Sequence, residues 1–338
     1  MFRLLGILLT VLFAIATAIM VWPQFFHLEQ TFPFAQVVAV RGAVLAGLLA
    51  IAVLSLLLLF ARPLRGFAAS ILIVALLGGA AIGGIGVMRG FGTGSLPEKT
   101  DESVRVLTWN TAGEAVSAET IADAILTQEV DVVTLPETAE SVGERIAVML
   151  REQGHPMWVH HVQFGDVPNG PQAWETTILI SPDLGDYSVI GSSEDGTSNT
   201  SSVPSAVVMP VNGSGPTIVA VHAVAPRKEA MSRWQSDLRW IADQCPAGDV
   251  ILAGDFNATI DHMAALGVNG GDVGNCRDAA SRTGTGFTGT WPESFPELLG
   301  APIDHVMASQ NWQPTGSLVL DAAGSDHRAL VVQLEPAG

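Results

Sequence analysis

Hydrophobic residues are unevenly distributed along this chain. Leu4–Leu28, Gly42–Ala61 and Gly66–Met88 contain no lysine, arginine, aspartate or glutamate, and each is long enough to cross a bilayer core of about 30 Å. They leave no polar face for water, which disfavours helices buried in a soluble core. The pattern predicts three transmembrane helices, over about residues 4–26, 42–61 and 66–88, within a membrane region ending near residue 89. Leu4–Met20 also fits a signal peptide, with Ala16-Thr17-Ala18 as a cleavage site. Gly90–Ser103 is polar with glycines and a proline, and reads as a linker reaching at most about 50 Å at ~3.3–3.6 Å per residue.

From residue 104 to 338 the pattern becomes that of a water-exposed domain. Val104–Trp109 alternates like a strand, Ser117–Glu129 has apolar positions at helical spacing, and Val130–Leu135 reads as the next strand. Strand, helix, strand is an α/β pattern. Ser141 and Glu144 have capping-box spacing and open a helix to about Arg151. His155–Pro171 is too irregular to assign. Thr176–Ser181 reads as a strand and Gly191–Val203 as a loop; Ser205–Pro210 and Thr217–His222 flank the hairpin signal Asn212-Gly213. Ala230–Gln244 is an amphipathic helix with Trp234, Leu238 and Ile241 on its apolar face. Strands follow at Val250–Asn257, Ile303–Met307, Ser317–Leu320 and Ala329–Leu334, with Cys276–Thr290 a Gly/Thr-rich loop.

Charge refines this division. The chain has 338 residues and a mean hydropathy of +0.38, too apolar for an ordinary soluble enzyme. Arg3, Arg62 and Arg65 mark one end of the spans, Arg41 and Arg89 the other. The positive-inside rule then favours a cytoplasmic N-terminus and an extracytoplasmic C-terminal domain. Of 16 basic and 33 acidic residues, 10 and 31 lie from Asp101 onward, a balance near −21. That sign opposes binding to a nucleic-acid backbone, although a basic groove or bound metal offsets a global field locally. Cys245 and Cys276, the only cysteines, fit either a disulfide in an oxidising space or two small buried thiols.

Polar residues recur where strands end: Asn110, Glu137, His222, Asp255 with Asn257, Asp304, and Asp326 with His327. Each alone fits a structural cap. Together they supply carboxylates, amides and imidazoles without a thiolate, which suits Mg²⁺ or Mn²⁺. Alternation sets Asp255 and Asn257 on one side of their strand, and turns His305 away from Asp304 into a structural role. His160 and His161 point opposite ways, against a shared metal.

The segments TWN, LPE, VAVH, GDFN, IDH and SDHR, in this order over Val104–Leu334, closely resemble the endonuclease/exonuclease/phosphatase (DNase I-like) superfamily. The resemblance implies a four-layer α/β (α+β) sandwich of two mixed sheets packed face to face, with helices outside. It also resembles a bacterial subgroup with three N-terminal spans, for which lipid-linked phosphates are suggested substrates. By resemblance, Glu137 is the principal Mg²⁺ ligand, supported by Asn110 and Asp326. His327 contacts the scissile phosphate or acts as general base, held in its tautomer by Asp304. Asp255 activates water or manages the leaving group, and Asn257 and His222 donate to phosphoryl oxygens. Glu175 is a candidate partner for His222, and Trp291 either lines the substrate cleft or is buried. His160, His161 and Arg328 receive no role.

Three functions compete. The first is an extracytoplasmic, membrane-anchored phosphoesterase acting on a membrane lipid or lipid-linked phosphate. The second keeps the chemistry and takes extracellular nucleic acid, despite the absence of a strong nucleic-acid signature. The third is a catalytically silent binding module on the same scaffold.

Overall fold

The computed structural model describes residues 2–165, 170–191 and 199–337. Three apolar helices, α1 (Phe2–Val21), α3 (Arg41–Leu58) and α4 (Arg65–Arg89), are long enough to cross a membrane, and the short α2 (Phe34–Ala39) lies between the first two. Helix α1 stops earlier than expected from the sequence: Pro23, which cannot continue the hydrogen-bond ladder, opens a 3₁₀ turn over Pro23–Phe26. Helix α4 packs against both α1 and α3. Small residues permit the approach; a Cβ added at Gly78 would strike the Thr17 side chain.

Thirteen strands follow among the described residues: β1 (Gly94–Ser95), β2 (Val104–Thr108), β3 (Val132–Pro136), β4 (Trp158–Gln163), β5 (Glu175–Ile180), β6 (Tyr187–Val189), β7 (Ala206–Pro210), β8 (Thr217–His222), β9 (Val250–Asp255), β10 (Arg277–Asp278), β11 (Asp304–Ala308), β12 (Trp312–Leu320) and β13 (Ala329–Pro336). They form a seven-stranded sheet, β1-β12-β13-β2-β3-β5-β4, and a six-stranded sheet, β10-β11-β9-β8-β7-β6. Both sheets are mixed. Their parallel pairs, β2 with β3 and β8 with β9, are joined by crossover helices α5 (Ala118–Thr127) and α7 (Met231–Asp243), because parallel neighbours cannot be linked by a tight turn.

Strand alternation fills three apolar layers. Val106, Val132, Ile178, Ile218, Ile251, Val306 and Leu330 meet between the sheets. Leu107, Val133, Leu179 and Val331 face outward against α5 and α6 (Glu140–Glu152). Val219, Val221 and Leu252 pack under Trp234, Leu238 and Ile241 of α7. The result is the four-layer sandwich expected.

Several local expectations change. The unassigned stretch after His155 contains edge strand β4, antiparallel to β5. Ser141 is not an N-cap: α6 begins after Ala139, whose side chain makes no capping bond. The loop expected over Cys276–Thr290 contains β10 and α9 (Ala279–Thr283), the latter capped by Asp278, which accepts the Ser281 N–H. Residues 166–169 of the unassigned stretch His155–Pro171, and residues 192–198 of the loop expected over Gly191–Val203, lie outside the described residues. Cys245 and Cys276 are disulfide-bonded, joining the end of α7 to β10.

Gly90–Ser103, expected to be a linker, is laid onto the domain. Val319 N–H donates to Thr93 O at 2.8 Å, and β1 extends the larger sheet with Gly94 opposite Leu318. Nearby, Gly286 N–H donates to Arg89 O and Phe287 N–H to Gly90 O. Phe287 packs with Leu48, Ala52, Ala75 and Ile82 of the apolar helices. Arg41 Nε lies 2.5 Å from Asp261 Oδ2 of α8 (Ile260–Met263), and Arg89 forms a second pair with the same carboxylate.

Candidate active site

The inward-facing rows of both sheets change from aliphatic to polar at one end. Asn110 follows β2 in the row of Val104 and Val106; His222 ends the row of Ile218 and Ala220; Asp255 ends that of Ile251 and Ala253; Asp304 begins that of Val306 and Ala308. Registers align them. Asp255 lies opposite Asp304 on one side and His222 on the other. The inter-sheet core therefore opens into a polar cleft.

Two tight turns complete the cleft. Glu137, directly after β3, and Asn257, two residues after β9, both have left-handed backbones, φ 59° and 46°, a conformation asparagine tolerates better than glutamate. Asn257 is thus beside Asp255 because the chain turns, whereas the sequence reading had the strand continue. Its N–H donates to Asp255 Oδ1 at 2.8 Å and its Nδ2 to Oδ2 at 3.0 Å and to Ala223 O at 2.9 Å.

These residues form one connected group. Asn110 Nδ2 donates to both Glu137 Oε1 and Asp255 Oδ2, each at 3.1 Å. His222 Nε2 lies 3.6 Å from Glu137 Oε1, and His327 Nε2 lies 3.9 Å from Asp255 Oδ2. His327 Nδ1 is hydrogen-bonded to Asp304 Oδ2 at 2.8 Å. Asp326 stands at the rim, where its exposed carboxylate accepts Trp291 Nε1–H at 3.0 Å. Trp291 is itself exposed rather than buried.

Burial sets the electrostatics. Desolvation lowers the His222 pKa to about 3, reinforced by repulsion from His327, so its imidazole is neutral. Burial also opposes charge on His327, but Asp304 and Asp255 outweigh it and raise its pKa, favouring imidazolium. Asp255 is raised, chiefly by burial and further by Asp304, with His327 opposing. A buried carboxylate inclined to hold a proton beside a cationic histidine is suited to proton transfer.

The donor set fits a hard divalent cation. Glu137 offers a partly exposed carboxylate at the cleft, and Asp304 Oδ1 is buried without a hydrogen-bond partner. Oxygen atoms of Asp255 and Asp304 also lie within 4.8 Å of one another, whereas His327, favoured as imidazolium, has no lone pair to offer an ion. Oxygen-rich sites of this kind favour magnesium or manganese over zinc.

Supporting residues emerge that local sequence patterns did not mark. Thr290 Oγ1 accepts the N–H groups of Ile303 and Asp304 at 3.1 Å. Ser325 Oγ donates to Asn110 O at 2.6 Å and accepts His327 N–H at 2.9 Å, tying two parts of the cleft together. His305 has the structural role expected: its ring bridges Asp278 Oδ1 and Ala258 O at 2.8 and 2.9 Å. Glu175 does not pair with His222; its Oε2 and His222 Nδ1 are both buried without partners. His160 Nε2 is likewise unpartnered, while His161 Nδ1 is bonded to Thr177 Oγ1. Arg328 gathers the carbonyls of Gly289, Glu293 and Phe295 at 3.2, 2.5 and 2.9 Å, fixing the loop that carries Trp291.

A two-sheet sandwich with an acid, amide and histidine cleft at one end defines a class of phosphate-ester hydrolases. The model of the Endonuclease/Exonuclease/phosphatase family matches residues 107–327; the chain belongs to that family. An endonuclease/exonuclease/phosphatase structure from Beutenbergia cavernae is similar at TM-score 0.52 and 20% identity, covering 70% of this chain and 72% of that one. A family protein from Leptotrichia buccalis has TM-score 0.51 and 13% identity over 69% and 99%. A humanized D. rerio TDP2 has TM-score 0.50 and 14% identity over 70% and 100%. No functionally curated protein matches the sequence.

Proposed function

We propose that the protein is a membrane-anchored, extracytoplasmic, divalent-metal-dependent phosphoesterase acting on a phosphate ester or pyrophosphate of a lipid-linked substrate. The observation carrying the chemistry is the Asp304–His327 bond beside Asp255, Asn257, Asn110 and Glu137. Glu137 would hold Mg²⁺ or Mn²⁺, with Asn110 and Asp326 in support. The ion would supply positive charge that polarises the phosphoryl group and offsets charge developing on its oxygens.

The side chains divide the remaining work. His327, favoured as imidazolium, donates to a phosphoryl oxygen; this supports a contact role over a general-base role. Asp255 orients a water molecule and holds or releases its proton. Neutral His222 donates without adding charge, as does Asn257 after rotating from Asp255. Fixed donors around accumulating negative charge lower a hydrolytic barrier.

Membrane placement is supported by the helices and by the arginines. Arg41 and Arg89 at the domain end are both engaged by Asp261. Arg3, Arg62 and Arg65, at the opposite end, have no salt bridge among the described residues. The charge bias that orients the chain is therefore stronger than counting arginines suggests. The acidic domain and the anchor favour a lipid substrate over nucleic acid.

Full-length protein should be assayed with Mg²⁺ on polyprenyl diphosphate, phospholipids and DNA side by side. Phosphate release from a lipid, abolished by EDTA and in Glu137→Ala and His327→Ala, is expected. Turnover of DNA alone would replace the lipid reading, and turnover of no phosphoester would reject the enzyme.

A further inference from the structure

The residues after Trp291 form an apolar rim between the cleft and the membrane helices. Phe295 and Leu298 are 54% and 44% exposed, a cost to a domain surrounded only by water. Their loop is held firmly. Arg328 gathers the Glu293 and Phe295 carbonyls, Leu299 N–H donates to Pro296 O, and Gly289 N–H to Glu297 O, the last two at 2.8 Å. The exposure is therefore built into the backbone arrangement.

The rim continues onto the anchor. A Cβ added at Gly42, the second residue of α3, would collide with the Leu298 carbonyl, so the loop lies at the level where α3 begins. Just beyond the end of α1, Trp22, Phe25, Phe26 and Phe32 are also exposed. Tryptophan is enriched at the bilayer–water boundary, and phenylalanine is common on the apolar face of segments that lie in that boundary. From Gly289 to Gly300 the chain has Glu293 and Glu297 but no lysine or arginine, and Arg41 and Arg89 are both paired with the Asp261 carboxylate, which offsets one of their two charges. Such a rim matches a zwitterionic leaflet better than an anionic one.

We infer that Phe295 and Leu298 enter the headgroup–acyl boundary of the same leaflet, forming a lip that brings the Trp291 side of the cleft to a zwitterionic phospholipid surface. The inference rests on the membrane placement proposed above. Trp291 bonds Asp326 at one end of the loop, while Leu298 meets α3 at the other. A phosphate attached to a membrane lipid would then reach the cleft without its acyl chains leaving the bilayer.

Full-length Phe295→Cys and, separately, Leu298→Cys should be labelled with an environment-sensitive fluorophore; the native cysteines are disulfide-bonded. Val211→Cys, in the β7–β8 turn away from the His222 end of β8, is the control. In phosphatidylcholine nanodiscs with spin-labelled acyl chains, quenching of about twofold or more is expected at 295 and 298 but not at 211, matching boundary insertion of about 5–10 Å. Equal quenching at all three positions, or none at 295 and 298, overturns the lip. Lipid phosphate release with no quenching at 295 and 298 overturns the lip while leaving the proposed activity intact. Quenching at 295 and 298 without release of any lipid phosphate supports the lip and rejects the substrate reading.

Discussion

Arg89 binds Asp261 in two-point fashion, Nη1 to Oδ2 at 2.8 Å and Nη2 to Oδ1 at 2.9 Å. Arg41 Nε adds a further bond to the same carboxylate. Burial alone would raise the Asp261 pKa, but the two guanidinium groups hold it well below the ordinary carboxylate range. Asp261→Asn leaves both arginines without their counter-charge. A loss of about 3–5 kcal/mol is expected, as when one member of a buried ion pair is removed. Thermal unfolding of the full chain in detergent is the check; an unchanged midpoint would contradict it.

His262, next in sequence, predicts a pH dependence. Its Nδ1 accepts Thr259 N–H at 2.8 Å and its Nε2–H donates to Ala35 O at 2.9 Å, an arrangement requiring neutral imidazole. Burial is the main cause that lowers its pKa from 6.5 to about 4. The unfolded chain therefore binds the proton first. The stability contribution is complete above pH 6.5 and falls as pH drops toward 4, by about 3 kcal/mol in all. His262→Gln should reduce the slope of stability against pH in this window; an identical slope would refute the assignment.

Asp304 orients His327 and maintains its charge. Asp304→Asn preserves size but removes the anion facing Nδ1. A reduction in kcat of roughly 10²–10⁴-fold is expected, with a smaller effect on KM. Steady-state kinetics on whichever phosphoester is turned over provide the measurement. The downward shift of the His327 titration should be visible by NMR, distinguishing this effect from simple misfolding.

Cys245 and Cys276 are 31 residues apart. By loop-closure entropy, their bond contributes about 3–4 kcal/mol. Unfolding in denaturant with and without reductant should differ by that amount. A Cys245→Ser/Cys276→Ser protein should then be insensitive to reductant.

Much of the cleft was legible because strands expose their ends in a regular way. Val104–Trp109 alternates and Val250–Ala253 is an unbroken apolar run, so Asn110 and Asp255 could be placed at the ends of strands before their neighbours were known. The IDH segment similarly separated Asp304, in the cleft, from His305, behind it. The turn at Asn257 was harder: alternation gave the correct side for the wrong backbone reason, because a left-handed residue replaced another step of strand. Strand β4 was hidden because an edge strand needs little apolar alternation, and β1 because two residues carry no period. The Arg328 clasp and the Asp261 triad depend on contacts between distant parts of the chain. Ser141 had capping-box spacing, but spacing alone does not fix where the helix starts.

Only Ala258, Thr259 and Ile260 separate Asn257 in the cleft from Asp261, which grips the arginines of the apolar helices. The hydrophobic helices are consequently more than a tether. Severing the chain after Arg89 would strip partners from Asp261, His262 and Phe287 while leaving the motif segments intact. A water-soluble fragment would therefore be a protein with one wall removed, three residues from its working pocket.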